Sequence, residues 1–149
     1  MQMSARFALE RSWGAEILPG GGARFRLWAP AHETLSLVAM PSGETQAMSR
    51  AEDGWFELST DLVKPGEGYQ FQLPDGMRVP DPAARAQEGD VHGPSKLIDP
   101  RAYDWQTGDW RGRPWEEAVF YELPPGTFSP EGNFTGIERK FDELARLGL

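Results

Sequence analysis

Between residues 14 and 79 the apolar side chains recur at every second position, in runs too short for a helix to use. In Ala23–Trp28 (ARFRLW), Ala23, Phe25 and Leu27 fall on one side, and Arg24, Arg26 and Trp28 on the other. Thr34–Met40 puts Leu35, Leu37 and Ala39 on one face. Gly54–Ser59 turns Phe56 and Leu58 inward with Trp55 and Glu57 outward, and Tyr69–Leu73 sets Tyr69, Phe71 and Leu73 against Gln70 and Gln72. Gly14–Leu18 runs into the turn Pro19-Gly20-Gly21-Gly22, and Pro74-Asp75-Gly76 reads as a tight connection to a short strand at Met77–Val79. Neighbouring residues of a strand point to opposite faces, so each run buries one face only. Closely spaced and separated by Gly, Pro and Asp, such runs specify an antiparallel sandwich with one dry face per sheet. No internal repeat or low-complexity segment interrupts this pattern.

From Pro80 to about Arg113 neither period holds. The stretch VPDPAARAQEGDVHGPSKLIDP is rich in Pro, Gly and Asp and reads as an ordered but irregular connector, with Val91, Leu97 and Ile98 apolar enough to dock. Tyr103, Trp105 and Trp110 add large rings that call for cover. Beyond Pro114 the character changes again. Ala118-Val119-Phe120-Tyr121 is a continuous apolar run, the signature of a parallel strand buried on both faces. The spacing of Thr135 and Glu138 predicts a capping box, Ile137, Phe141, Leu144 and Ala145 form one helical stripe, and Gly148 stands where a helix ends. Strand, loop and helix make half of a βαβ unit. The division expected is a β-sandwich over 1–100, a connector over 101–117, and a first strand and helix of a larger scaffold over 118–149.

Charge and composition remove several functions. The 149 residues carry a net charge of -8, which opposes nucleic acid and anionic lipid. At 39% hydrophobic residues there is enough for a core, yet no apolar run approaches the roughly 18 residues of a membrane span. The opening MQMSARFALERSW lacks the apolar stretch and cleavage site of a signal peptide, and there is no cysteine to form a disulfide. A cytoplasmic protein is the expectation. His32 and His92 stand outside any spaced ligand cluster, so neither a metal nor another cofactor is expected. His92, in Val91-His92-Gly93-Pro94, reads as a turn histidine bonded to backbone. Glu116-Glu117 and Asp142-Glu143 are adjacent pairs that cannot flank one substrate from opposite sides, as glycoside hydrolysis requires.

Three stretches together resemble one enzyme family. GAEILPGGGARFRLWAPAHETLSLV is similar to the opening of an N-terminal sandwich, VPDPAARAQEGDVHGPSKLIDP to a connector of the form PDP-x-x-R-x-Q…VHGPS…DP, and VFYELPPGTFSPEGNF to the motif YELHVGTFTPEGTF at a first barrel strand. The family is that of the maltooligosyltrehalose trehalohydrolases, in glycoside hydrolase family 13 of the α-amylase superfamily. The resemblance, from Trp13 to Leu149, implies a mainly β protein. Its immunoglobulin-like sandwich would be of the family-48 carbohydrate-binding type, followed by the first βα unit of a (β/α)8 barrel. The resemblance also implies the activity: cleavage of the α-1,4 bond next to a terminal trehalose unit in maltooligosyl trehalose. The partners it implies are that glucan and the rest of the catalytic barrel.

The carboxylates that do this chemistry belong to later barrel strands, so no catalytic residue is assigned here, and the segment alone is expected to be inactive. Glu122, at the end of the first barrel strand, is given a structural or loop-pairing role. Three departures from the family pattern stand out: Pro124-Pro125 for His-Val, Ala86 for an aromatic, and Glu88-Gly89-Asp90 for Pro-Asp-Gly. Two readings stand beside the hydrolase segment: a free-standing α-glucan-binding module and an inert truncated product. The substrate-binding candidates are Trp28 and Trp55, whose outward indoles can stack on sugar rings. The alternative for them is a cover for an interface with the barrel, or a place under the N-terminal arm.

Overall fold

The computed structural model describes residues 12–40 and 42–149, and the chain divides into two compact units, one ending at Gln106 and one spanning Thr107–Leu149. The first is the sandwich. Its strands are β1 (Gly14–Ile17), β2 (Ala23–Trp28), β3 (Ser36–Met40), β4 (Thr45–Ala47), β5 (Ser49–Arg50), β6 (Trp55–Thr60), β7 (Gly68–Gln72), β8 (Arg78–Val79) and β9 (Ser95–Lys96). One sheet has the order β1-β2-β6-β5. The other runs β4-β3-β7-β8, with β9 also on β7, and every pairing is antiparallel.

The alternation read from sequence fixes the two inner faces. Ala23, Phe25, Leu27 and Phe56 from the first sheet meet Leu37, Ala39, Tyr69 and Phe71 from the second in one buried cluster, which Leu35, Met48, Val63 and Leu97 complete. Tyr69 stands edge-on to Phe25 at 4.9 Å and to Phe71 at 5.9 Å between ring centroids, the arrangement that aromatic quadrupoles favour. Val38 is buried as well, although it points away from that cluster's face. The Pro74-Asp75-Gly76 turn closes as expected. The Leu73 N–H donates to Met77 O, the Met77 N–H to Asp75 Oδ1, and Gly76 takes a φ of 88° that suits glycine.

Three strands lie outside the alternating pattern. β4 and β5 are polar and exposed, and the chain switches sheets between them at buried Met48. β9 lies in the connector, where the segment read as irregular returns to pair Ser95 with Tyr69 and Lys96 with Gly68. Two residues is too short a run for any period to show. The connector's docking is otherwise mixed. Leu97 is buried and Ile98 half-buried, but Val91 is 71% exposed at a loop tip, and Tyr103, Trp105 and Trp110 are exposed too.

The second unit, described by itself, corrects the expected helix. Instead of one helix capped by Thr135 there are three short ones: α1 (Pro125–Phe128), α2 (Phe134–Glu138) and α3 (Phe141–Arg146). Asn133 is the cap of α2 and its side chain accepts from the Gly136 N–H, so Thr135 lies inside the helix. Asn is at least as good a cap as Thr, and here it precedes the first apolar helical residue, Phe134. The chain leaves helical geometry at Lys140 (φ -100°, ψ 0°), which breaks the stripe between Ile137 and Phe141. Gly148 does end α3 with φ 78°. Over Ala118–Leu123 the backbone forms no ladder. It is extended at Ala118 and at Pro124, but a strand exists only by pairing, and among the described residues this one has no partner. No helix of the described residues is long and apolar enough to cross a membrane.

Candidate functional site

The outward face of β1, β2 and β6 collects the polar half of the alternation. Register places Trp28 directly opposite Trp55, and Arg26 opposite both Gly14 and Glu57. Trp28 is 59% exposed, and its indole N–H donates to Asp53 O at 2.9 Å. That carbonyl sits in a turn, Glu52–Gly54, where Asp53 holds a positive φ of 55°. The turn is pressed from behind: a Cβ on Gly54 would lie 2.6 Å from Pro30 Cβ. Trp28 is therefore held in place by a turn that only this Gly permits.

Trp55 differs from the outward indole expected. It is half-buried: the Arg26 guanidinium lies 4.4 Å over its ring, and Trp13 stands 6.5 Å away at a tilt. Arg26 is fixed in turn by Ser12 O at 2.6 Å and by Glu57 at 3.5 Å. The cover for Trp55 thus comes from Arg26 on β2 and from Trp13 just ahead of β1. Of the opening MQMSARFALERSW, read above as lacking a signal peptide, residues 1–11 lie outside the described residues. Arg24 pairs with Glu16 at 2.7 Å on the same face. The charges balance locally, two cations against two anions, within a chain of net charge -8.

A second cluster escaped the sequence reading. Asp81, only 3% exposed, accepts from the Tyr69 hydroxyl at 2.7 Å and from the Ala83 N–H at 2.8 Å, while its own N–H donates to Ser95 Oγ at 2.8 Å. Burial raises the Asp81 carboxyl above its ordinary value, and the Tyr69 and Ala83 bonds oppose that only in part. Burial, reinforced by the Asp81 charge, also raises the Tyr69 hydroxyl. The sequence held one signal, an Asp-Pro pair followed by two alanines at the start of the connector. It did not say where the carboxylate pointed.

In the second unit an open groove of about 500 Å3 is lined by Tyr121, Phe128, Lys140, Glu143, Leu144 and Leu147, with Leu149 at its end. Glu122 is exposed, and so are the pairs Glu116-Glu117 and Asp142-Glu143, each pair on a single turn. His92 is exposed at a turn where its backbone N–H donates to Asp90 Oδ1. Among the described residues no group of three or more His, Asp or Glu could hold a metal ion.

No family model matches the sequence. Among solved structures, a crystal structure of a Salmonella typhimurium protein assigned to the alpha amylases superposes with a TM-score of 0.84 at 47% identity, over 95% of this chain and 24% of that one. An apo pullulanase from Klebsiella pneumoniae shares the fold at a TM-score of 0.52 and 22% identity, over 60% of this chain and 11% of that one. Fold and sequence together define an N-terminal β-domain of the α-amylase class. Among curated proteins, the malto-oligosyltrehalose trehalohydrolases of Deinococcus radiodurans and Saccharolobus solfataricus are 39% identical over 137 residues and 38% over 128. The chain belongs to the malto-oligosyltrehalose trehalohydrolase family and corresponds to its N-terminal part. It covers 22% of the length of those relatives.

Proposed function

We propose that this chain is the sandwich-bearing N-terminal part of a glycoside hydrolase that cleaves the α-1,4 bond beside a terminal trehalose unit in maltooligosyl trehalose and releases trehalose. The observation that supports the reading is the 39% identity running through 91% of the chain, connector and barrel motif included. Retaining cleavage needs two carboxyl groups facing each other about 5–5.5 Å apart across the substrate. The exposed acid pairs of the second unit are neighbours on one turn and do not face each other. The 149 residues alone therefore release no trehalose; their contribution is the sandwich and the entry into the barrel.

Two assays test this. Pure protein of this length incubated with maltotriosyl trehalose should yield no trehalose, and any turnover overturns the assignment of chemistry to later strands. Substituting this segment for the matching part of the Deinococcus radiodurans enzyme should leave a folded hydrolase. A chimera that folds but has lost trehalose release would count against the family role.

A second reading has its own support: Trp28 is exposed and its indole is fixed by the Asp53 carbonyl, so it meets a sugar ring without an ordering cost. On this reading Trp28, flanked by Trp55, binds an α-glucan. Titration of tryptophan fluorescence with maltoheptaose should then saturate, and Trp28→Ala should abolish the change. A flat titration of the unsubstituted protein removes this reading and leaves the hydrolase assignment untouched.

A further inference from the structure

The two sheets of the sandwich are joined at both sides. On one side the chain itself crosses between β4 and β5 at Met48, which link edge strands of different sheets. On the other side, β1 is the edge of the first sheet and β8 and β9 flank β7 in the second. There the segment from Pro80 to Leu97 lies across the seam. Its Asp81 reaches Tyr69 on β7, and its Ala83 packs so closely on β1 that a Cβ at Gly14 would stand 3.0 Å from Ala83 Cβ.

The segment has its own internal bonding. Ala84 N–H donates to Asp81 O, Glu88 N–H to Pro94 O, Gly93 N–H to Asp90 O, and Lys96 N–H to Ala86 O. A side chain adds to these, Gln87 Nε2 donating to Val91 O. Its apolar anchorage is small by comparison. Leu97 is buried at its end, while Val91 faces solvent. A segment held mainly by polar bonds, with little buried apolar surface, has a lower opening free energy than the strands beneath it.

We propose that Pro80–Leu97 is a strap that closes the β1–β7 seam, fastened by Asp81 and by the short pairing of β9 on β7, and able to open as one unit, β9 included, while the other strands of the two sheets stay paired. Its opening uncovers the Tyr69 hydroxyl and the Gly14 end of β1. The Met48 crossover on the opposite side keeps the sheets together.

Native-state hydrogen exchange on the 149-residue chain tests this with two substitutions. In the unsubstituted protein the amides of Ala83, Glu88, Gly93 and Lys96 should exchange through a common opening, faster than the β2–β6 ladder amides. Met48→Ala weakens the sandwich on the far side and leaves the strap's contacts intact in both its closed and open states. It should speed the ladder amides about tenfold or more, equivalent to about 1.4 kcal/mol, and leave the strap amides within about twofold. Tyr69→Phe removes a bond absent from both the opened and the unfolded states, so it should speed both sets by the same factor. Strap and ladder amides exchanging at one rate would overturn the proposal. So would Met48→Ala accelerating both alike, or Tyr69→Phe leaving the strap rate unchanged.

Discussion

Tyr69→Phe deletes one oxygen from the interior of the sandwich and nothing else. The ring keeps its edge contacts with Phe25 and Phe71, at 4.9 and 5.9 Å. What is lost is the 2.7 Å bond to Asp81, a carboxylate only 3% exposed. A bond to a charged, buried acceptor contributes about 1.5–3 kcal/mol. After the change Asp81 keeps the Ala83 N–H on its other oxygen, so the loss should be about 2 kcal/mol at neutral pH. For a sandwich of this size that lowers the melting temperature by roughly 8–16 °C.

The pH dependence sharpens this prediction. The folded Asp81 carboxyl is raised, by burial first, above the ordinary value it has in the unfolded chain. Its contribution to stability is therefore fully present below that value and is lost as pH rises through the folded one. The Tyr69 bond lowers the folded value, so removing it raises the value further and extends the loss to higher pH. The cost of Tyr69→Phe should thus be about 1 kcal/mol near pH 3.5, where the carboxyl is neutral, and about twice that near pH 7. Urea unfolding followed by tryptophan fluorescence at the two pH values reads both numbers. A cost below about 0.5 kcal/mol, or one that does not change between them, would refute the role given to this pair.

Other expectations are as specific. Gly54→Ala forces a Cβ to within 2.6 Å of Pro30 Cβ at a φ of 80°, and should cost about 2–3 kcal/mol in the same unfolding experiment. Trp28→Phe loses the bond to the Asp53 carbonyl on an exposed face; it should cost under about 1 kcal/mol while blue-shifting the fluorescence, because an exposed emitter is removed. Asn133→Ala strips the cap from α2 and should weaken that helix by about 1 kcal/mol, seen as faster exchange of the Gly136 amide. Thr135→Ala should leave that amide unchanged.

The strands at Ala23–Trp28, Trp55–Thr60 and Gly68–Gln72 were legible because each buries one face of a sheet, and period two is that fact written in sequence. β5 and β9, with two residues each, carry no period, and their existence is decided by the edge they find. The helical region misled for a related reason. Thr135 and Glu138 have capping-box spacing, but Asn133 competes for the same helix start and wins, and the spacing alone does not rank the two. Of the site candidates, Trp28 is as exposed as alternation requires. Trp55 is covered by Arg26 and Trp13, partners that lie on β2 and ahead of β1 and that no local pattern connects to it.

Local alternation and runs of identity were enough to specify the sandwich, its two inner faces and the family. It took the folded chain to show that Asp81 lies buried under Tyr69, that Ala83 packs against β1 at Gly14, and that Ala118–Leu123 forms no ladder among the described residues. The reason is that a hydrogen bond between distant residues, like the pairing that makes a strand, belongs to two segments at once. Neither segment's composition names its partner.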